Sequence, residues 1–201
     1  MRMTIKTIVC SFLFSLSVLH SQAQGITVGT YTFSDGALYQ GELFKGKPWG
    51  QGTTQFRNGD THTGKYAKGL REGFGVYQFT DGEKYEGEWL QNHQHGKGTY
   101  YFKNNNKYDG LWYRDTQHGQ GPMYYYNGDT YRGNWKNDVR EGIGTYTYAD
   151  GSTYVGSWQN DQTTGRGKFM WADGSFYDGE WRANKMVGRG TFHYVSGDEY
   201  T

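Results

Sequence analysis

Glycine recurs in this chain at a fixed interval of 23 residues. The series runs through Gly29, Gly52, Gly75, Gly98, Gly121, Gly144, Gly167 and Gly190, without an insertion. A constant period of this length is typical of proteins built from one repeated supersecondary unit, because each unit buries its apolar face against its neighbours. The sequence therefore predicts seven complete copies of one unit and the beginning of an eighth.

The sixth unit shows the pattern of a β-hairpin. Aromatic residues alternate before Asp150-Gly151, and Tyr154, Gly156 and Trp158 alternate after it. Residues two apart in a strand point to the same face, and Asp-Gly between two such runs favours a two-residue hairpin turn. Each unit is therefore predicted to be a hairpin with one aromatic face, and the polar residues after it are predicted to be a loop to the next unit.

Two aromatic positions of the unit, which we call the Tyr slot and the Trp slot, persist along the chain. The complete copies carry Tyr39, His62, Tyr85, Tyr108, Tyr131, Tyr154 and Tyr177 in the Tyr slot, and Leu43, Tyr66, Trp89, Trp112, Trp135, Trp158 and Trp181 in the Trp slot. The turn of the fourth copy reads Asn104-Asn105 instead of ending in glycine, and Asn tolerates positive φ better than most residues. We expect His62 to be a packing substitute for tyrosine.

A glycine lies between the two slots in every complete copy, for example Gly156. Glycine in a strand is unfavourable, so it indicates a place where a ring or another backbone approaches closely. We expect a ring from the adjacent hairpin to lie over this glycine. Isolated hairpins are marginally stable, so the stability is predicted to come from contacts between neighbouring units.

The pattern Tyr-x-Gly-x-Trp followed by Gly-x-Gly, repeated every 23 residues with a hairpin turn between, resembles the MORN repeat. The resemblance covers Gly29 to Thr201. It implies an all-β fold, an elongated single-layer antiparallel sheet of stacked hairpins with a groove along one side. It also implies protein–protein contact, end-to-end self-association or attachment near a membrane.

Residues 1–23 have the layout of a cleavable signal peptide. Arg2 and Lys6 precede the apolar run Thr7–Leu19, and small residues before Gln24 predict cleavage there. We therefore expect a secreted, periplasmic or cell-envelope protein with a short lead-in at residues 24–28. Cleavage leaves 19 basic and 20 acidic residues, a formal charge of −1 that does not favour nucleic-acid binding.

No pattern typical of an enzyme interrupts the repeats. His93 and His95 have a spacing that could suit a metal, but no third ligand is evident, and zinc sites usually need three or four. Asp178 and Glu180 could suggest a carboxylate pair, yet they are predicted to occupy the solvated face opposite the aromatic rings. We predict a non-enzymatic protein without metal or cofactor.

Two surfaces are candidates for binding. The aromatic face comprises Tyr85, Trp89, Tyr108, Trp112, Tyr131, Trp135, Tyr154, Trp158, Tyr177 and Trp181, and its rings could stack on sugars or extended peptides if they are exposed. Basic residues around the inter-repeat loops, among them Lys97, Arg140, Arg166 and Arg189, could form an edge that meets anionic lipid. The sequence thus predicts a binding scaffold for proteins, for itself or for an anionic membrane surface, with glycan binding as the alternative.

Overall fold

The structure, a computed structural model, describes residues 25–201, and the predicted signal peptide at residues 1–23 lies outside this range. The strands are β1 (Ile26–Thr32), β2 (Leu38–Phe44), β3 (Lys47–Gln55), β4 (Thr61–Ala67), β5 (Leu70–Gln78), β6 (Lys84–Leu90), β7 (His93–Tyr101), β8 (Lys107–Tyr113), β9 (Thr116–Gln117), β10 (Gly119–Tyr124), β11 (Thr130–Lys136), β12 (Val139–Thr147), β13 (Thr153–Gln159), β14 (Gln162–Met170), β15 (Phe176–Arg182), β16 (Lys185–His193) and β17 (Glu199–Tyr200). The predicted lead-in is largely part of the array, since β1 begins within it.

The strands form one antiparallel sheet in which neighbours in the chain are neighbours in space. β1 pairs with β2, β2 with β3, and the meander continues in this way to β17. The short strands β9 and β10 both pair with β8 and are separated only by His118. The predicted all-β, single-layer architecture of stacked hairpins is confirmed.

The turns differ in detail from the prediction. The Asp-Gly loop has three residues between its bonded ends: Tyr148 N donates to Ser152 O, and Gly151 N donates to Tyr148 O. This is a type I turn followed by one residue with positive φ, the usual three-residue hairpin loop, and Gly151 takes that position at φ 91°. In the fourth copy Asn105 takes it at φ 64°, which confirms that asparagine can replace the glycine there.

The two-residue turns lie instead where the sequence predicted inter-repeat loops. Asn160 and Asp161 connect β13 to β14 with φ of 47° and 65°. Positive φ at both central residues matches the right-handed twist of the flanking strands, and asparagine and aspartate adopt it more readily than most side chains. The residues after this turn, which were predicted to be loop, form the nine-residue strand β14.

A bulge explains the Gly-x-Gly at each boundary between units, for example Gly165-Arg166-Gly167. In the β13–β14 ladder Gly156 pairs with Gly167 and Ser157 pairs with Thr164, so two residues of β14 are extra. Gly165 supports the bulge at φ 61°, a conformation that is unfavourable for most other residues.

Candidate functional site: an aromatic groove

The Tyr-slot rings lie flat over pairs of facing glycines. A Cβ added to Gly156 would lie 2.5 Å from the Tyr154 hydroxyl oxygen and 2.7 Å from the Gly167 Cα. The close approach is thus confirmed. The predicted origin of the ring is wrong, because Tyr154 belongs to the same strand as Gly156 and reaches across to the leading glycine of the next unit.

The hydroxyl of each such ring is satisfied next to the bulge. Tyr154 OH donates to Ser157 O at 3.1 Å, and Tyr85 OH donates to Glu88 O at 2.9 Å in the same way. The Trp-slot indoles close each unit, since Trp158 Nε1 donates to Gly144 O and Trp181 Nε1 donates to Gly167 O. Burial raises the pKa of Tyr154 to about 12, so the hydroxyl keeps its proton near neutral pH.

These rings form a continuous ladder through the array. Tyr154 lies edge-to-face against Trp158 of its own unit at 5.3 Å and against Trp181 of the next at 5.1 Å. The same alternation connects Tyr85 to Trp89 and Trp112. All ten residues predicted for the aromatic face are buried at 9 % exposure or less, so they form the core. They are not available as a stacking platform.

His62 occupies a Tyr slot as predicted. It is 1 % exposed, lies edge-to-face against Tyr66 and Trp89, and its Nδ1 is 2.8 Å from the Tyr66 hydroxyl. Its Nε2 is buried without a hydrogen-bond partner within the described chain. Burial, with a smaller effect from the Arg71 charge, lowers the pKa of His62 to about 3.

A second aromatic row, which the sequence analysis did not separate from the first, lines a groove on the same face. Its partly buried rings include Tyr77, Tyr100, Phe102, Tyr125, Tyr146, Phe169, Trp171 and Phe192. Phe169 and Trp171, for example, lie 4.8 Å apart, and Trp171 continues to Phe192 at 4.9 Å. Three hollows lie along this row, from Phe33 to Asn92, from Arg71 to Asp138, and from Arg140 to Met186, and the first two share Arg71 and Asn92. We call them together the aromatic groove.

One wall of the groove is fixed by the two-residue turns. Asp161 Oδ1 accepts the Arg140 N–H at 2.9 Å, and Asp161 N donates to Arg140 O, so this turn is bound to the preceding unit. Asn92, Asp115, Asp138 and Asn184 make the same side-chain bond in their units.

The opposite wall is fixed by carboxylates in the three-residue loops. Asp129 accepts the Ala149 N–H at 2.8 Å and the Tyr146 hydroxyl at 2.6 Å, and Asp60 accepts the equivalent Thr80 N–H and Tyr77 hydroxyl. Burial alone would raise the pKa of Asp129, but these hydrogen bonds outweigh it and lower that pKa. Both walls therefore bind successive units to each other.

The four basic residues predicted for the loop edge lie in strands and do not share one face of the sheet. Lys97, Arg166 and Arg189 lie within strands β7, β14 and β16, on the face opposite the aromatic rings. Arg166 is paired in register with Glu180 there. Arg140 is on the other face, in the aromatic groove, where its guanidinium lies 4.3 Å from the Trp158 ring. Alternation places these residues on different faces, because Arg140 is four positions from Gly144 whereas Arg166 is one position from Gly167.

The other polar candidates are held by local contacts. His93 Nδ1 contacts Asp115 Oδ2, and no group of three or more potential metal ligands comes together within residues 25–201. Asp178 and Glu180 are exposed on the face opposite the rings, as predicted. In the same described range, no helix has the length and apolar character needed to cross a membrane.

The family model of the MORN repeat matches eight consecutive segments, residues 28–38, 39–61, 62–84, 85–107, 108–130, 131–153, 154–176 and 177–199. The chain belongs to the MORN-repeat proteins. MORN repeats generally serve as modules for contact with proteins or membranes, and they are generally non-catalytic. In this MORN-repeat protein seven of the matched segments begin at the Tyr slot, and the first, residues 28–38, ends directly before Tyr39, so the family unit coincides with the ladder described above.

No curated protein sequence matches the chain. Among solved structures it is similar to the TCP domain of Drosophila melanogaster SAS-4 in complex with a proline-rich motif of Ana2, at 14% identity over 86% of this chain and 88% of that chain, with a TM-score of 0.49. It is also similar to virginiamycin B lyase from Staphylococcus aureus, at 9% identity over 90% and 70% of the two chains, with a TM-score of 0.21. Identities and TM-scores this low support no conclusion about the function of the MORN-repeat protein.

Proposed function

We propose that this MORN-repeat protein is a non-catalytic scaffold whose aromatic groove binds an extended segment of a protein partner. The observation that carries the proposal is the second aromatic row. Its rings are partly exposed, unlike the buried ladder beneath them, and they recur in successive units along the groove. Exposed aromatic side chains arranged in a groove provide large apolar contact area at low conformational cost.

The groove dimensions favour a linear ligand over a compact one. Neighbouring strands are about 4.8 Å apart, so one two-strand unit advances roughly 9–10 Å along the groove. An extended polypeptide advances about 3.3 Å per residue, so each unit can receive about three residues. A partner segment with apolar side chains at that spacing would meet an equivalent ring in each unit.

The alternatives have less support from the structure. The predicted basic edge for anionic lipid is divided between two faces, with Arg140 in the groove and Lys97, Arg166 and Arg189 opposite. The tyrosines and tryptophans that sequence analysis offered for glycan stacking are buried. Lipid and glycan binding are therefore outcomes that the experiment must detect.

A matched pair of variants tests the groove. Met186 lines the groove and is 40% exposed, and Val155 on the opposite face is 47% exposed. A library of random peptides of about twelve residues, long enough for about four units, is selected against the wild-type protein. We expect selected peptides to lose at least about tenfold in affinity for Met186→Glu and less than about twofold for Val155→Glu.

Three results would contradict this proposal. One is the failure of any peptide to be enriched above background, and another is equal loss in the two variants. The third is binding of the protein to anionic vesicles or to a glycan array that survives Met186→Glu while no peptide binds.

Export from the cytoplasm is a separate part of the proposal and is supported by the pattern of residues 1–23. Mass spectrometry of the protein from its native cell should give a chain that begins at Gln24. An intact N-terminus at Met1 on protein recovered from the cytoplasm would contradict it.

A further inference from the structure

Two arginines occupy equivalent positions in the aromatic groove, three units apart. Arg71 and Arg140 each follow a two-residue turn by the same number of residues, near the beginnings of β5 and β12. The Arg71 guanidinium carbon lies 4.2 Å from the Trp89 ring centroid, and that of Arg140 lies 4.3 Å from the Trp158 centroid. The two guanidinium groups therefore occupy equivalent positions, each over the Trp-slot ring of its own unit.

The two arginines differ in whether a carboxylate neutralises them, and one residue of the following turn decides this. Arg140 Nε donates to Asp161 Oδ1 at 2.9 Å, and Arg140 Nη2 donates to Asp161 O at 2.9 Å, so its charge is neutralised. At Arg71 the same turn position is Asn92. Arg71 Nη2 donates to Asn92 O at 2.7 Å, but no carboxylate within residues 25–201 lies within ion-pair distance of Arg71.

The other groups around Arg71 do not supply the missing charge. Tyr77 presents its ring 5.2 Å from the guanidinium, and Phe56 presents its ring at 5.8 Å. His62 and Tyr66 on the adjacent strand are neutral near pH 7, since burial lowers the pKa of the imidazole and raises that of the phenol. Burial lowers the pKa of Arg71. The charge of Asp115 opposes that shift, but the Asp115 carboxylate is already bound by the Gln94 N–H and by His93. A partly buried cation without a counter-charge is unfavourable, and a ligand anion relieves that cost.

Arg71 also stands where two hollows of the groove meet. It lines the hollow that contains Phe56 and Leu70 and the hollow that contains Phe79 and Phe102. An acidic side chain bound here is therefore flanked by apolar surface on both sides. Guanidinium binds carboxylate through a planar pair of N–H donors, which makes the contact both strong and directional.

We propose that Arg71 binds the carboxylate of an aspartate or glutamate in the extended partner segment, with apolar residues on either side of that acid. This inference rests on the proposed function and names the chemistry of its ligand. It also fixes the register of the segment. The two following units carry Asp115 and Asp138 at the turn position of Asn92, so an acidic residue placed there is repelled.

The first test needs no variant. From the selected peptides, one that carries an acid is made in two forms that differ only as glutamate and glutamine, and both are titrated against the wild-type protein. We expect the glutamate form to bind at least about tenfold more tightly, and the difference to shrink at high salt. Selected peptides without enrichment of aspartate or glutamate would overturn the inference and leave the proposed groove function intact.

The second test exchanges the turn residues of the two arginines. Asn92→Asp gives Arg71 the partner that Arg140 has, so we expect the preference for the glutamate peptide to fall to about twofold or less while circular dichroism stays unchanged. Arg71→Gln should have the same effect, and Arg140→Gln should leave the preference intact. Persistence of the full preference in Asn92→Asp, or its loss in Arg140→Gln, would overturn the assignment. The absence of any selected peptide would overturn the inference together with the proposed function.

Discussion

At the scale of single residues, the fold depends on tyrosine rings that lie directly on glycine. Tyr154 covers Gly156 and Gly167, which face each other across β13 and β14. The ring also touches two tryptophans edge-to-face, and each such contact contributes about 0.5–1.5 kcal/mol beyond burial of area. A single-layer sheet acquires a core in this way, because the glycines leave room for the ring to lie flat.

Adding one carbon atom at this contact should therefore destabilise the fold strongly. In Gly156→Ala the new Cβ meets the Gly167 backbone, which cannot move without breaking the ladder, so we expect a loss of about 3 kcal/mol or more in the free energy of unfolding. Urea denaturation followed by tryptophan fluorescence measures it. Val155→Ala, one residue away on the exposed face, should cost about 1 kcal/mol or less. A neutral Gly156→Ala variant would show that the ring does not lie on the glycine.

His62 should make the protein sensitive to acid. The pKa of the folded imidazole is about 3, below its ordinary value of 6.5, so the unfolded chain binds a proton more readily than the folded one. The contribution of His62 is fully present above pH 6.5 and is lost as the pH falls toward 3.

Replacing His62 by the tyrosine of the other units should remove that sensitivity. We expect the free energy of unfolding of His62→Tyr, measured relative to that of wild type, to rise by about 2 kcal/mol when the pH is lowered from about 7.5 to about 5. The measurement is urea unfolding of both proteins at the two pH values. An identical pH dependence in wild type and variant would contradict the buried, neutral imidazole.

At the scale of elements, the turns do more than reverse the chain. Five of the two-residue turns present a side-chain oxygen to a backbone N–H of the preceding unit, as Asn184 does to Thr163 N at 2.8 Å. The turn residues also need positive φ, which Asn184 adopts at 64°. Asparagine and aspartate meet both requirements, which explains their frequency at these positions.

Two substitutions at one turn should separate these roles. Asn184→Gly keeps the backbone conformation but removes the acceptor of a buried N–H, so we expect the free energy of unfolding to fall by about 1–2 kcal/mol. Asn184→Ala loses the same bond and adds strain at positive φ, which should cost about 1 kcal/mol more. Thermal unfolding of the two variants gives the comparison. Equal stability of both variants and wild type would mean that the turn is not bound to the preceding unit.

Turn geometry also marks the limit of what the sequence could predict. The Asp-Gly pair is compatible with a two-residue and a three-residue loop, and the backbone partners that decide between them, Tyr148 and Ser152, carry no signal of their own. The position of Arg140 could have been predicted from the sequence, because alternation counted back from Gly144 puts this residue on the aromatic face. The sequence alone could not predict that Arg140 is neutralised and Arg71 is not. This difference depends on a turn that lies 21 residues later in the chain and folds back onto each arginine.

At the scale of the whole molecule, the structure is a row of units that contact only their neighbours. Each strand contacts chiefly the strands on either side of it, and each ladder tyrosine connects one unit to the next. The period of 23 residues predicted this architecture because every stabilising contact lies within one unit or between adjacent ones. The groove follows from the same repetition.

Removal of one complete unit should be tolerated. Deleting Gly121–Ile143 joins Gln120 to Gly144 and restores the pattern, so we expect a folded protein with a slightly lower melting temperature and a smaller urea m-value. Deleting only Val139–Ile143 removes an odd number of strand residues and turns the following side chains to the wrong face. Circular dichroism and urea unfolding compare the two, and equal damage from both deletions would contradict independent repeating units.

The central claim is that the aromatic groove is the binding surface, and the most direct measurement is to locate a bound peptide by NMR. A selected peptide is titrated into the protein, and shifts are followed at the indole and backbone amide resonances. The account predicts that the largest shifts come from groove residues such as Tyr148, Trp171 and Arg71. Shifts confined to the opposite face, at residues such as Ile143, Val155 and Arg166, would contradict it.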